Sequence, residues 1–199
     1  MLLFGISRLY ICRYKDRKLR RYRIAVVASV FFVIFEKVII IITVVNMALK
    51  VGDKIPEILG VNQYGEEVKT KDLAGKKLVL YFYPKDSTPG CTAEACSLRD
   101  GYERLRAAGY EVIGVSKDSI KSHQKFIEKQ DLPFQLIADT DTTLNQVFGV
   151  WAEKKMAGRT YMGTLRTTFL IDENGIVEKI IDKVDTKRHA EQILDDKLR

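Results

Sequence analysis

Cys91 and Cys96 stand five residues apart in Gly90-Cys91-Thr92-Ala93-Glu94-Ala95-Cys96, and they are the residues of this 199-residue chain best suited to chemistry. Leu78–Tyr83 just before them is apolar at almost every position and reads as a buried strand. Pro84 to Gly90 then makes a tight loop holding two prolines, and Thr92 to Ala108 reads as a helix closed by Gly109. Cys91 therefore falls where a loop meets the start of a helix. The first N–H groups of a helix have no partners within it and carry partial positive charge, so a thiol there is favoured as thiolate, the nucleophilic form. Taken singly, each cysteine also reads as a small buried hydrophobe. The spacing is not C-x-x-C, so a thioredoxin-type dithiol motif is absent. With three cysteines and with His123 and His189 far off in sequence, no zinc site is expected and no cofactor is implied.

The elements that must position these cysteines follow from periodicity and punctuation. Ile58–Val61 and Glu67–Lys69 flank the turn Asn62-Gln63-Tyr64-Gly65, a hairpin signal, and Thr70–Leu73 is a short turn before Gly75. Lys77–Tyr83 is the central strand. Along helix 92–108, Ala95, Leu98, Tyr102 and Leu105 mark an inward face, while Glu94 and Arg99 read as surface residues. Glu111–Ser116 and Gln135–Ala138 read as strands, and 119–130 and 141–148 as helices. His123, among charged neighbours, reads as a solvated position on the first of these helices. Trp151–Gly163 is a polar loop or hairpin. Arg166–Ile171 and Ile176–Val184 read as strands joined by Asp172-Glu173-Asn174-Gly175, and Thr186–Leu198 as the last helix. Strands alternating with helices, then a closing hairpin and helix, predict a thioredoxin-like α/β sandwich with an N-terminal β-hairpin.

Pro84-x-x-x-Thr88-x-x-Cys91 resembles the active-site signature of the peroxiredoxins. Gly90-Cys91-Thr92-x-Glu94-x-Cys96 resembles the bacterioferritin comigratory protein, or PrxQ, branch of that family, and Arg166-Thr-Thr-Phe-Leu-Ile-Asp172 is similar to the family's second active-site segment. The resemblance runs from about Leu49 to the C-terminus, and the family implies the same fold. It implies a thiol peroxidase acting on hydrogen peroxide and organic hydroperoxides. Cys91 would be the peroxidatic thiol and become a sulfenic acid; Cys96 would resolve it as an intrachain disulfide; thioredoxin or a similar dithiol would reduce that disulfide. Arg166 would supply a fixed positive charge and Thr88 a hydroxyl that aligns peroxide. The backbone of Gly90 would face the leaving oxygen, and Pro84 would stiffen the loop. Arg166 read without the family is an edge-strand surface charge. The family branch implies a monomer. A disulfide oxidoreductase acting on proteins, or a non-catalytic redox sensor, are the competing readings.

Charge is unevenly spread. Residues 1–46 hold nine Lys/Arg against two Asp/Glu, and residues 47–199 hold twenty-four of each, so the part with the motifs has no basic bias and nucleic acid is not an expected partner. Three cysteines do not make a secreted disulfide framework. Residues 24–45 are apolar except for Ser29, Thr43 and the pair Glu36-Lys37. That length spans a bilayer, and the charged pair opposes insertion by about 5–6 kcal/mol. Three readings stand for residues 1–46: an overextended reading frame with Met47 as the natural start, which is favoured and implies a cytoplasmic protein; a membrane anchor; or a cleaved signal. Residues 47–199 form the expected catalytic domain. Cys12 has no assigned role.

Overall fold

Alternation along the strand Lys77–Phe82 (β3) organises the molecule. Val79 and Tyr81, continued by Tyr83, turn to one side of a sheet, while Leu78, Leu80 and Phe82 turn to the other; all are buried. A strand with both faces covered reads as a continuous apolar run, which is why its sequence is apolar at nearly every position. Each such side chain stabilises the fold by about 1.5–3 kcal/mol through burial. The computed structural model describes residues 48–156 and 158–195. The expectations for residues 1–46, Met47 and Cys12 lie outside the described residues, as do the last positions of the final helix. Among the described residues no helix is long and apolar enough to cross a membrane.

β3 lies at the centre of a five-stranded sheet of order β5-β4-β3-β8-β9. The other strands are β4 (Tyr110–Ser116), β5 (Gln135–Ala138), β8 (Thr167–Ile171) and β9 (Val177–Ile181). β4 and β5 run parallel to their neighbours, and β8 and β9 antiparallel. Helices α1 (Pro89–Asp100), α2 (Tyr102–Ala107), α3 (Ile120–Gln130) and α5 (His189–Asp195) contribute to one core, with Cys91, Leu98, Leu105, Phe126 and Ile193 in it. The hairpin of β1 (Ile58–Val61) and β2 (Glu67–Lys69) and the short α4 (Thr143–Val147) contribute to the other, through Leu59, Val68 and Leu144. This is the thioredoxin-like α/β arrangement with an N-terminal hairpin.

Three boundaries differ from expectation in ways that matter for the site. The helix expected from Thr92 begins at Pro89, because proline lacks the N–H that a first helical position leaves unused. It pauses at Gly101, which has φ −92° and ψ 1°. A Cβ on Gly101 would stand 2.3 Å from the Ala190 Cβ, so the close approach of α5, invisible in local sequence, requires glycine there. The polar stretch Trp151–Gly163, expected as a loop or hairpin, is a hairpin of β6 (Trp151–Met156) and β7 (Arg159–Thr164). Arg166 lies in the turn between β7 and β8 rather than within a strand, so its edge-strand reading is corrected.

Candidate active site

The antiparallel register of β3 and β8 fixes where Arg166 arrives. Tyr81 pairs with Thr168 and Phe82 with Thr167, so the residue before Thr167 reaches the C-terminal end of β3, where the chain turns toward Cys91. The Leu165 N–H donates to the Val150 carbonyl at 2.7 Å and pins the turn at the base of the β6–β7 hairpin. From there the Arg166 Nη2 approaches Cys91 Sγ at 3.2 Å, and Nη1 pairs with Glu94 Oε2. Cys91 occupies the third position of α1 and is 1% exposed. With Gly90 it supplies two of the N–H groups that a helix start leaves without i−4 partners. A Cβ on Gly90 would sit 3.5 Å from Arg166 Nη2, an ordinary contact, so the bare glycine keeps the space beside the guanidinium open.

Thr88 precedes the helix, and its hydroxyl donates to the Lys85 carbonyl at 3.1 Å. Its proton is thus engaged, and its lone pairs remain to accept from a further donor. Ser87 holds φ 57°, a left-handed conformation that costs a non-glycine residue about 1 kcal/mol or more and here turns the loop into the helix. Pro84, half-buried, opens this loop. Of the residues singled out in the sequence, the structure brings Arg166 to Cys91 and Gly90, while Thr88 and Pro84 lie in the loop that leads into α1. Cys96 is set apart: it is half-buried, and its Sγ lies 3.6 Å from the Gln130 side-chain oxygen at the end of α3. Both cysteines are free thiols.

Sequence reasoning missed three residues. Glu94, expected on the surface, is fully buried, because it shares the inward stripe of α1 with Cys91 and Leu98. Burial pushes its carboxyl up to about 7, against the pull of the Arg166 charge and hydrogen bond. Arg99, also expected on the surface, is partly buried and donates to the Gln130 carbonyl at 2.7 Å. His123, expected in solvent, is fully buried: its Nδ1 meets Asp86 Oδ2 at 2.9 Å and its Nε2 meets the Ile137 carbonyl at 3.1 Å. It sits one turn before Phe126 on the buried stripe of α3, a spacing that could have found it.

Asp86 also accepts from the Tyr83 hydroxyl and from Ser122 Oγ, each at 2.7 Å, while its own N–H donates to Asp118 Oδ2. Burial pushes the Asp86 carboxyl up, but the bonds from His123, Ser122 and Tyr83 outweigh it and hold the group below its usual range. This network ties the loop before Cys91 to β3, β4 and α3. His123→Ala should therefore cost roughly 3 kcal/mol in urea unfolding, since it strands a buried carboxylate. A loss under about 1 kcal/mol would show that the network does not anchor the loop.

Residues 51–180 match the model of the AhpC/TSA family. The chain is 47% identical over 148 residues to the Bacillus subtilis peroxiredoxin Bcp, covering 74% of this chain and 94% of that one. It is 42% identical over 146 residues to the Escherichia coli K12 peroxiredoxin Bcp, covering 73% and 94%. Among solved structures, the bacterioferritin comigratory protein of Xanthomonas campestris, described by its alkyl peroxide reduction activity, superimposes with a TM-score of 0.64 at 39% identity, covering 68% of this chain and 87% of that one.

Proposed function

The chain belongs to the peroxiredoxins, in their bacterioferritin comigratory protein or PrxQ branch, and is a peroxidase, and from that premise we propose that Cys91 is its peroxidatic thiol, Cys96 its resolving thiol, and hydrogen peroxide and organic hydroperoxides its substrates. The observation that carries the assignment is the Arg166 guanidinium 3.2 Å from a sulfur on the first turn of α1. The alkyl peroxide reduction activity of the Xanthomonas campestris relative supports organic hydroperoxides as substrates here.

The Cys91 thiolate attacks the terminal oxygen of the peroxide. An S–O bond forms, the O–O bond breaks, and the leaving oxygen departs as alkoxide or hydroxide and takes up a proton, leaving Cys91 as a sulfenic acid. Arg166 holds positive charge beside both the sulfur and the oxygen that gains charge, and the N–H groups at the start of α1 face the same region. Thr88, whose own proton is given to Lys85, accepts the peroxide O–H and sets its angle to the sulfur. Cys96 then attacks the sulfenic sulfur, water leaves, and an intrachain disulfide remains. A dithiol protein of the thioredoxin type reduces it through a mixed disulfide.

An NADPH–thioredoxin-coupled peroxide assay tests this reading. The wild type should turn over. Cys96→Ser should consume one equivalent of peroxide per chain and then stall, and full thioredoxin-linked turnover by that variant would remove Cys96 from the resolving role. The same assay separates the competing readings, because neither a disulfide oxidoreductase nor a sensor consumes peroxide with turnover. Arg166→Lys keeps the charge but loses the planar fork that reaches Cys91 and Glu94 together. Its rate constant with peroxide in stopped flow should fall about tenfold or more, at about 1.4 kcal/mol per decade. An unchanged constant would take Arg166 out of the site.

A further inference from the structure

Behind Arg166 lie a buried acid and a buried base that the steps above leave without a task. Glu94 offers Oε2 to Arg166, while its Oε1 is buried with no hydrogen-bond partner. The group facing Oε1 is His189, at the start of α5, with Nε2 3.9 Å away. The tautomer of His189 is set by its other contacts. The Gln192 amide donates through Nε2 to the Lys183 carbonyl at 2.8 Å and accepts through Oε1 from the Asp185 N–H at 3.0 Å, so its orientation is fixed. The same Oε1 lies 3.1 Å from His189 Nδ1, which must therefore donate. In a neutral imidazole Nε2 then carries no proton, and its one lone pair accepts from the Thr168 hydroxyl, whose Oγ1 sits 2.8 Å away. Glu94 Oε1 thus faces a nitrogen that has no N–H to give it. A buried carboxylate oxygen in that setting is left uncompensated unless a proton is placed on it.

We propose that Glu94 carries a proton on Oε1, beside the unprotonated Nε2 of His189, and that this proton decides how far Arg166 is committed to Cys91. Glu94 and His189 are positioning residues: they act through Arg166. With the proton in place, the acid is neutral and the full charge of Arg166 is directed at the sulfur. Without it, the carboxylate neutralises Arg166 and places negative charge near the thiolate. Other ionisable groups surround the pair. Cys91 faces Glu94 from α1 itself and Arg166 from the turn between β7 and β8. Tyr81 faces it from β3 with a phenol that burial pushes well above its usual value, and Asp86 lies toward Tyr81. Asp185 and Arg166 act on His189 from outside the pair, whose imidazole burial pushes down to about 4. The proton therefore belongs to the acid, whose carboxyl is pushed up to about 7 by burial. A raised carboxyl is protonated below that value and loses its proton above it, so commitment of Arg166 to Cys91 is strongest on the acidic side and weakens as pH rises.

The test rests on Cys91 being the reacting thiol, and has one arm that does not. In the first arm, the second-order rate constant for oxidation of Cys91 by hydrogen peroxide is measured against pH for the wild type and Glu94→Gln. Glutamine keeps an acceptor for Arg166 and a neutral donor toward His189. The wild-type constant should fall roughly tenfold as pH rises through the ionisation of Glu94, as expected for one added charge near a reacting ion. Glu94→Gln should lack that falling limb; an identical limb in the variant overturns the proposal. In the second arm, infrared spectra of the full chain are recorded between about pH 6 and 9. The wild type should show a protonated-carboxyl stretch that disappears with rising pH. His189→Gln, which puts an amide donor where the unprotonated nitrogen was, should lose it at lower pH. A wild-type spectrum without a titrating carboxyl stretch overturns the proposal even if Glu94→Gln does not fold. If no peroxide reacts at any pH, the assignment of Cys91 fails, while the infrared arm still decides whether Glu94 holds the proton.

Discussion

Cys91→Ser abolishes peroxide reduction, with a loss of at least about a thousandfold in the rate constant, roughly 4 kcal/mol at about 1.4 kcal/mol per decade. The expectation rests on chemistry and on place. A serine hydroxyl is not ionised near neutral pH and cannot be carried to a sulfenic acid, so the covalent step has no substitute atom at position 91. Nor can the other described thiol take over. Cys96 is turned to Gln130 at the end of α3, while the Arg166 guanidinium is spent on Cys91 and Glu94. The replacement is nearly isosteric at a position 1% exposed, so the fold should survive with a change of about 1 kcal/mol or less. A melt equal to that of the wild type, together with no peroxide consumption in stopped flow, is the expected pair of results. Retained turnover would reassign the peroxidatic role.

The strands and the cysteine motif were legible because each rests on local information. The apolar run at β3, the turn residues of the hairpins and the proline-bounded loop before Cys91 all act within a few residues. What was not legible depends on partners far away in sequence. Glu94 is buried because Arg166, 72 positions later, meets it. His123 is buried because Asp86, 37 positions earlier, accepts from it. A polar residue on an inward stripe is discounted when its partner is unseen, although the stripes Cys91–Glu94–Leu98 and His123–Phe126 carried the signal. The break at Gly101 is set by the approach of Ala190, and the displacement of Arg166 from strand to turn by the pairing of Thr167 with Phe82. His189 was noticed only as a residue too distant to ligate a metal, and the fold returns it to within 3.9 Å of Glu94.

Oxidation should take apart the start of α1. In the reduced chain this helix runs unbroken from Pro89 to Asp100, with both cysteines inside it. Residues five apart on an α-helix are separated by about 7.5 Å of rise and about 140° of rotation, which places their Cα atoms roughly 8.6 Å apart. A disulfide needs them within about 7 Å with side chains facing one another. Cys91 instead points to Arg166 and Cys96 to Gln130. The two sulfurs therefore cannot join while the first turns stay helical. Ala93, half-buried, gives up little packing on leaving, and Ala95, though buried, is small. The cost lies in the contacts made by larger neighbours: Glu94 to Arg166, and Arg99 to the Gln130 carbonyl. The loop before the helix is held by Asp86 and His123, so the opening should begin after Thr88 rather than spread backward. Local unfolding of one to two turns exposes amides that were protected, and exchange there reports the free energy of opening. Amide hydrogen exchange over residues 91–100 should accelerate by about a hundredfold or more on oxidation, while β3 and β4 remain protected. The unfolded segment would present the disulfide for a dithiol reductant to dock on. Equal protection of residues 91–100 in both states, with the Cys91–Cys96 bond confirmed by mass, would sink this mechanism, because the helix would then have closed a disulfide its own geometry forbids.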